Sequence, residues 1–254
     1  MGGGSRRQVL KQILESTTMS DPSRCFALVP CAGVGVRSGA EGPKQYAPLA
    51  GQAVVAHTLA ALAAVPALAA TLVVVAVDDT SFEFHAPRFA GPKAWVARCG
   101  GATRAASVAA GLAGLLDRGA AHDDWVLVHD AARCLIRPAW VLRLIDACRD
   151  DSVGGLLALP VGDTLKQSHA DRVASTLPRA QKWFAQTPQM FRLGLLQRAL
   201  AQAGDAVTDE SSAIEALGLQ PRLVPGELEN FKLTWPADFA LAARLLESRS
   251  LKAR

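Results

Sequence analysis

The residues with the most legible chemistry come early: Pro30-Cys-Ala-Gly-Val-Gly-Val-Arg37-Ser-Gly39, then Gly42-Pro43-Lys44-Gln45-Tyr46. Glycines directly after an apolar run let successive backbone N–H groups face phosphate oxygens unobstructed by side chains. Ala32, Gly33 and Gly35 belong to that turn, Arg37 adds a two-pronged planar cation, and Lys44 adds a point charge. The combination suits a triphosphate. It is neither of the common phosphate loops: Lys44 lies between Pro43 and Gln45 rather than in Gly-Lys-Ser/Thr, and Ser38 stands where a dinucleotide turn needs glycine. Taken alone, these residues also describe a flexible loop with stray basic side chains.

A second constellation, His129-Asp-Ala-Ala-Arg133, closes a strongly apolar run. Ligands of open parallel sheets bind at the carboxyl ends of strands. An acid there, Asp130, can hold Mg²⁺ and so tie down phosphate oxygens; the plainer alternative is a helix N-cap. Gly100-Gly-Ala-Thr-Arg-Ala-Ala-Ser107 is another glycine turn, where the amides of Gly101 and Ala102 can read a base edge beside Ser107. Lys232 in Glu229-Asn-Phe-Lys-Leu-Thr234 is a candidate cation on a strand by the cleft, or a solvated edge. Arg179, Thr187-Pro-Gln189 and Thr208-Asp-Glu210 complete the set.

These residues need a scaffold, and the apolar pattern predicts one. Uninterrupted Val/Leu/Ala runs at Cys25–Pro30, Thr71–Val77, Ala94–Ala97, Asp124–His129 and Gly154–Val161 read as strands covered on both faces. Helical patterns at Val54–Ala64, Thr103–Leu116 and Pro138–Cys148 alternate with them, as a parallel sheet requires. Helices at Leu193–Ala203, Asp209–Leu217 and Pro236–Glu247 follow, with strands at Arg222–Val224 and Phe231–Thr234. Residues 163–185 break the rhythm with polar chain, either a surface loop or an extended β-arm whose edges pair with a second subunit.

The chain of 254 residues is half hydrophobic, enough for a large core, and its formal charge of +4 is dispersed. Nucleic acid is not an expected partner. No apolar run reaches bilayer length, so no membrane span is expected. Five cysteines form no CxxC pair and no zinc spacing, which points to reduced thiols and a cytoplasmic location. Residues 1–22 are expected to be a disordered extension, with Met19 as an alternative start, ahead of one domain over 23–250.

Read together and in order, AGVGVR, GPKQY, GGATRAASV, VHDAAR, PVGDTLK, Arg179 with TPQ, TDESSA and ENFKLTWP resemble the 2-C-methyl-D-erythritol 4-phosphate cytidylyltransferase family, over about Phe26 to Glu247. The resemblance implies a Rossmann-like three-layer α/β sandwich with a mostly parallel sheet and a protruding β-arm. It implies CMP transfer from CTP to methylerythritol phosphate, with Mg²⁺, in a homodimer whose arm crosses to the partner. By the same resemblance, Ala32, Gly33, Gly35, Gly101, Ala102 and Ser107 would recognise cytidine. Arg37, Lys44, Lys232 and Arg179 would serve the reacting phosphates, and Asp130 with Glu229 would bind metal. Arg133, Thr164, Arg179 and Thr187 would contact the acceptor, some of them in the neighbouring subunit. Four positions depart from the family's usual residues: Cys31 and Cys134, Ala102 where an acid is frequent, and Glu229 where aspartate is frequent.

A ribitol 5-phosphate cytidylyltransferase would share the nucleotide motifs, and acceptor contacts in the arm separate the two. A non-catalytic nucleotide-binding module would be expected to lose a charged site residue, yet Arg37, Lys44, Asp130, Arg179 and Lys232 are all present.

Overall fold

The computed structural model describes residues 23–33, 42–204 and 207–252; the expected N-terminal extension lies outside the described residues. Two short strands, β2 (Pro48–Leu49) and β3 (Gln52–Ala53), pair with each other, and the apolar runs form one mixed sheet. Its strands are β1 (Cys25–Pro30), β4 (Leu68–Ala76), β5 (Ala94–Gly100), β6 (Trp125–Val128), β7 (Gly154–Pro160), β10 (Trp183–Arg192) and β11 (Arg222–Pro225). They lie in the order β11-β7-β10-β6-β1-β4-β5. All pairings are parallel except those of β10, which runs antiparallel to both β6 and β7.

Uninterrupted Val/Leu/Ala strands are stable only when both faces are buried, and both are. Along β1, Cys25, Ala27 and Val29 enter one core while Phe26 and Leu28 enter the other. One face is covered by α1 (Val54–Ala63) and α4 (Pro138–Cys148). The other is covered by α3 (Arg104–Leu116), α5 (Leu193–Ala203) and α6 (Glu210–Ala216). This is the expected three-layer sandwich. A short helix α2 (Phe82–His85) and the closing helix α7 (Pro236–Lys252) complete the helices among the described residues.

The order places the site. From β1 the chain moves to β4 on one side, and β6 later joins β1 on the other, so their following loops leave a crevice at the carboxyl rim. β1 and β6 are in parallel register, Leu28 opposite Val128, which sets the turn after β1 beside the loop that begins at His129.

Two expectations are refined. Residues 163–185 contain a hairpin, β8 (Leu165–His169) with β9 (Arg172–Leu177), which forms its own two-stranded sheet, mostly exposed on both faces. Its turn residues Ala170 and Asp171 have φ 47° and 60°, suited to the right-handed twist of a tight hairpin. Phe231–Thr234, expected as a strand, is irregular: Leu233 donates one backbone bond of 2.9 Å to Ala132 and extends no ladder. A buried Leu233 beside a partly buried Phe231 imitates a short strand in sequence.

Between β7 and β10 the chains touch closely at Gly154, whose φ is +108° and where an added Cβ would meet the Met190 carbonyl oxygen at 2.2 Å. Gly154→Ala combines left-handed strain with overpacking and should cost about 2–4 kcal/mol. Thermal unfolding should show a melting temperature lower by about 4 °C or more; an unchanged midpoint would contradict the packing described.

Candidate active site

Asp130 follows β6 at the carboxyl rim and is buried, 7 % exposed. An isolated carboxylate there would be strongly disfavoured. Three cations from separate segments surround it. Arg104 donates from Nε to Oδ1 at 2.9 Å, Lys232 Nζ lies 3.0 Å from Oδ2, and Arg133 Nε lies 3.5 Å from Oδ2. Burial alone would raise the Asp130 pKa, but Arg104, Lys232 and Arg133 outweigh it and hold the carboxyl well below its ordinary range.

Arg104 has no nitrogen to spare. Its two terminal nitrogens grip Glu210 at 2.6 and 3.0 Å while Nε holds Asp130. Glu210 is 1 % exposed. Burial pushes its carboxyl upward and the Arg104 fork opposes the shift. For Arg104 itself, burial works against the charge and the two carboxylates overcome it. Arg104 and Glu210 stand within the motifs GGATRAASV and TDESSA, but the sequence assigns neither of them a role. One signal existed: Arg104 opens α3, where a cation opposes the helix dipole, so another interaction must hold it. Glu210 gave none, since an acid after the Asp209 cap looks like ordinary helix capping.

Behind Asp130 a neutral relay fixes the loop. The His129 ring is fully buried, with Nε2 3.2 Å from the Arg133 carbonyl and Nδ1 3.0 Å from Thr187 Oγ. A carbonyl only accepts, so Nε2 carries the proton and Nδ1 accepts from the Thr187 hydroxyl. That hydroxyl accepts in turn from the Asp130 N–H at 3.1 Å. Every polar atom of the relay is partnered, which suits an imidazole that orients a loop and does not exchange protons. Arg133 donates to the carbonyls of Asn230 at 2.7 Å and Ala185 at 3.3 Å, joining this loop to the segment of Lys232 and to β10.

Lys44 lies on a single 3-10 turn, Lys44–Tyr46, and its Nζ donates to the Leu233 carbonyl at 3.0 Å. Both expected lysines therefore converge on the Lys232–Leu233 segment, one through its backbone and the other through its own side chain on Asp130. Ala32 and Gly33 begin the turn after β1, and an added Cβ on Gly100 would meet the Ala32 Cβ at 2.3 Å, so the two glycine turns touch. Gly35 and Arg37 lie outside the described residues.

Ser107, Thr187 and Glu229 spend their side chains on partners within the protein. The Ser107 hydroxyl accepts from the Gly101 N–H at 3.1 Å and donates to the Thr103 carbonyl at 3.0 Å. It thus braces the turn and occupies the Gly101 amide, leaving the exposed Ala102 backbone as the open edge. Thr187, expected on the acceptor, is 4 % exposed and committed to His129 and Asp130. Thr164 and Arg179 are exposed on the arm, where Arg179 donates to the Gly162 carbonyl at the arm's base. Glu229, expected with Asp130 on a metal, is engaged elsewhere: its carboxylate bonds Arg137 at 2.9 Å and Arg249 at 2.6 Å. Two arginines already satisfy it, and no group of three or more His, Cys, Asp or Glu ligands exists among the described residues.

A profile of the 2-C-methyl-D-erythritol 4-phosphate cytidylyltransferase family matches residues 25–248. The chain is 63 % identical over 227 residues to a bifunctional enzyme IspD/IspF of Albidiferax ferrireducens, covering 89 % of this chain and 54 % of that relative, about half its length. It is 56 % identical over 228 residues to a 2-C-methyl-D-erythritol 4-phosphate cytidylyltransferase of Burkholderia multivorans, covering 88 % of this chain and 96 % of the relative. Among solved structures, a 4-diphosphocytidyl-2C-methyl-D-erythritol synthase superposes with a TM-score of 0.79 at 41 % identity, over 89 % of this chain and all of that one. The Francisella tularensis 2-C-methyl-D-erythritol 4-phosphate cytidylyltransferase gives 0.74 at 32 % identity, over 87 % of this chain and 98 % of that one.

The relay has a pH consequence. Burial lowers the His129 pKa from 6.5 to about 4. Between those values the unfolded chain binds a proton that the folded one does not. His129's contribution is therefore whole above about 6.5 and is lost as pH falls towards about 4, amounting to about 3 kcal/mol. Urea unfolding across that window should show stability rising with pH by one proton's slope, and ring ¹⁵N shifts should report a neutral imidazole at pH 5.5. Protonation of that ring near 6.5 in the folded protein would refute the relay.

Proposed function

The chain belongs to the 2-C-methyl-D-erythritol 4-phosphate cytidylyltransferase family and is a cytidylyltransferase; we propose that it transfers CMP from CTP to 2-C-methyl-D-erythritol 4-phosphate. The products are 4-diphosphocytidyl-2-C-methyl-D-erythritol and pyrophosphate, in non-mevalonate isoprenoid precursor synthesis. The observation that carries this reading is the convergence of Arg104, Arg133, Lys232 and Lys44 around Asp130 and the Leu233 carbonyl at the rim beside the β1 turn.

The acceptor phosphate monoester is largely dianionic near neutral pH, its second pKa being about 6, so it attacks without a general base. A phosphate oxygen bonds to the α-phosphorus of CTP, the bond to the β-phosphate oxygen breaks, and pyrophosphate leaves with the electron pair. The barrier is the meeting of two polyanions, and preorganised cations lower it. Lys44 and Lys232 hold charge developing at the α-phosphorus, and Arg37 grips the triphosphate. Backbone at Ala32, Gly33 and Ala102 reads the cytosine and ribose, with Ser107 holding that edge in shape. Arg133, Thr164 and Arg179 face the acceptor, with Thr187 acting through Asp130.

Asp130 fits Mg²⁺. The ion needs only one or two protein carboxylates when phosphate oxygens and water fill the rest of its octahedron, and Asp130 is a carboxylate held ionised. Bound there, Mg²⁺ would neutralise and orient the triphosphate. Homodimer formation through the arm belongs to the same reading, supported by the exposed Val173, Leu177 and Phe184. So does a cytoplasmic location, supported by five unpaired cysteines.

A pyrophosphate-release assay across four nucleotides and several polyol phosphates tests the reading. CTP with methylerythritol phosphate should turn over; preference for ribitol 5-phosphate would overturn the assigned acceptor. Chelation by EDTA should abolish activity and Mg²⁺ should restore it. Lys232→Ala should lower kcat by about 100-fold or more, by comparison with the loss of one donor from other preorganised sites. Near wild-type turnover in that variant would remove Lys232 from the reaction.

A further inference from the structure

Three successive residues of the Lys44–Tyr46 turn each reach a different segment. Lys44 holds the Leu233 carbonyl, and the Tyr46 hydroxyl donates to Asp79 while its ring stacks on His85 at 4.4 Å. Between them Gln45, 6 % exposed, donates from Nε2 to the carbonyls of Cys31 at 3.0 Å and Gly33 at 2.8 Å. Both partners can only accept, so the amide nitrogen faces them and both of its hydrogens are used.

In a trans peptide the C=O and the following N–H point in opposite directions. With the Cys31 carbonyl tied to Gln45, the Ala32 N–H is aimed away from Gln45. A backbone donor separates cytosine from uracil only while its direction is fixed, because the ring nitrogen flanked by the two substituted carbons accepts in cytosine and donates in uracil. A peptide flip would replace N–H by C=O and admit uracil. At Cys31–Ala32 that flip requires breaking the Gln45 bond.

We propose that Gln45 is a positioning residue that sets the enzyme's preference for cytosine nucleotides by locking the Ala32 peptide in its donating orientation. The assignment rests on the reading that the Ala32–Gly33 turn meets the base. Gln45 touches no reacting atom and acts through the turn.

The test uses the full chain with Gln45→Met, which keeps the volume and removes both donors, and Gln45→Ala as a second variant. KM for CTP should rise about tenfold while KM for the acceptor stays within about twofold, the scale expected for two lost neutral hydrogen bonds. The CTP-to-UTP ratio of kcat/KM should fall about tenfold, and calorimetry should show the CMP-to-UMP affinity ratio falling in parallel. Unchanged nucleotide preference in a folded variant, or equal weakening of both nucleotides, would overturn the proposal. Loss of cooperative melting in both variants would overturn it too, by making Gln45 a residue of core stability. Wild-type protein that binds CMP but turns over no CTP would sink the function proposed above, and the CMP-to-UMP comparison would still decide the role of Gln45.

Discussion

A carboxylate at 130 with almost no access to water imposes the central constraint on this molecule. Burying two opposite charges recovers little stability, since desolvation consumes most of the Coulomb attraction. Leaving one of them unpaired costs far more, so the cations around Asp130 are obligatory once the acid is there. They arrive from three places: the start of α3, the loop after β6, and the irregular segment before α7. The sheet order that sets β6 beside β1 is what lets these distant pieces of chain meet, and the fold is to that extent a device for gathering charge.

Charge balance gives the gathering a direction. Arg104, Arg133 and Lys232 face Asp130 and Glu210, which leaves one positive charge in excess before Lys44 is counted. Without substrate, the acids keep the cations from repelling one another apart. A triphosphate brings more negative charge than Asp130 alone supplies, so it can draw on Lys232 and Lys44 while Glu210 keeps hold of Arg104. Preorganised charge of this kind lowers a barrier because no reorganisation is needed during reaction.

Much of this was legible in sequence, and the reasons for the rest are specific. Val73–Val75 and Trp125–Val128 declare doubly covered strands because nothing else accommodates so many consecutive apolar residues. Asp130 declares itself by standing where such a strand stops. Lys44 and Lys232 were legible as cations, while their shared destination was not, because it depends on where Leu233 packs. The chain at Phe231–Thr234 looked like a strand since burial of Leu233 is all that sequence registers, and hydrogen-bond partners are not. Glu229 was paired with Asp130 on motif grounds, and Arg137 and Arg249 claim it in three dimensions. Thr187 and Ser107 have the residue types of substrate contacts, yet each hydroxyl is spent holding a loop. Sequence reveals which residue types a site needs; it does not separate those that touch the ligand from those that brace them.

Glu210 shows why that bracing matters. If Asp130 were the sole anchor of Arg104, a substrate that drew on Asp130 would also release the guanidinium, and the site would lose a cation when it most needs one. The bidentate grip of Glu210 removes that coupling, because it engages both terminal nitrogens and leaves only Nε for Asp130. Glu210 is itself held by the capped start of α6. The Asp209 side chain accepts from the Ser212 N–H, and Gln189 of β10 bonds both the Asp209 carboxylate and the Ser211 N–H. The line of support thus runs from the antiparallel strand through a helix cap to a carboxylate and only then to the cation. Each step replaces a long flexible side chain with a partner that has already lost its freedom, so little conformational entropy remains to be lost when substrate arrives.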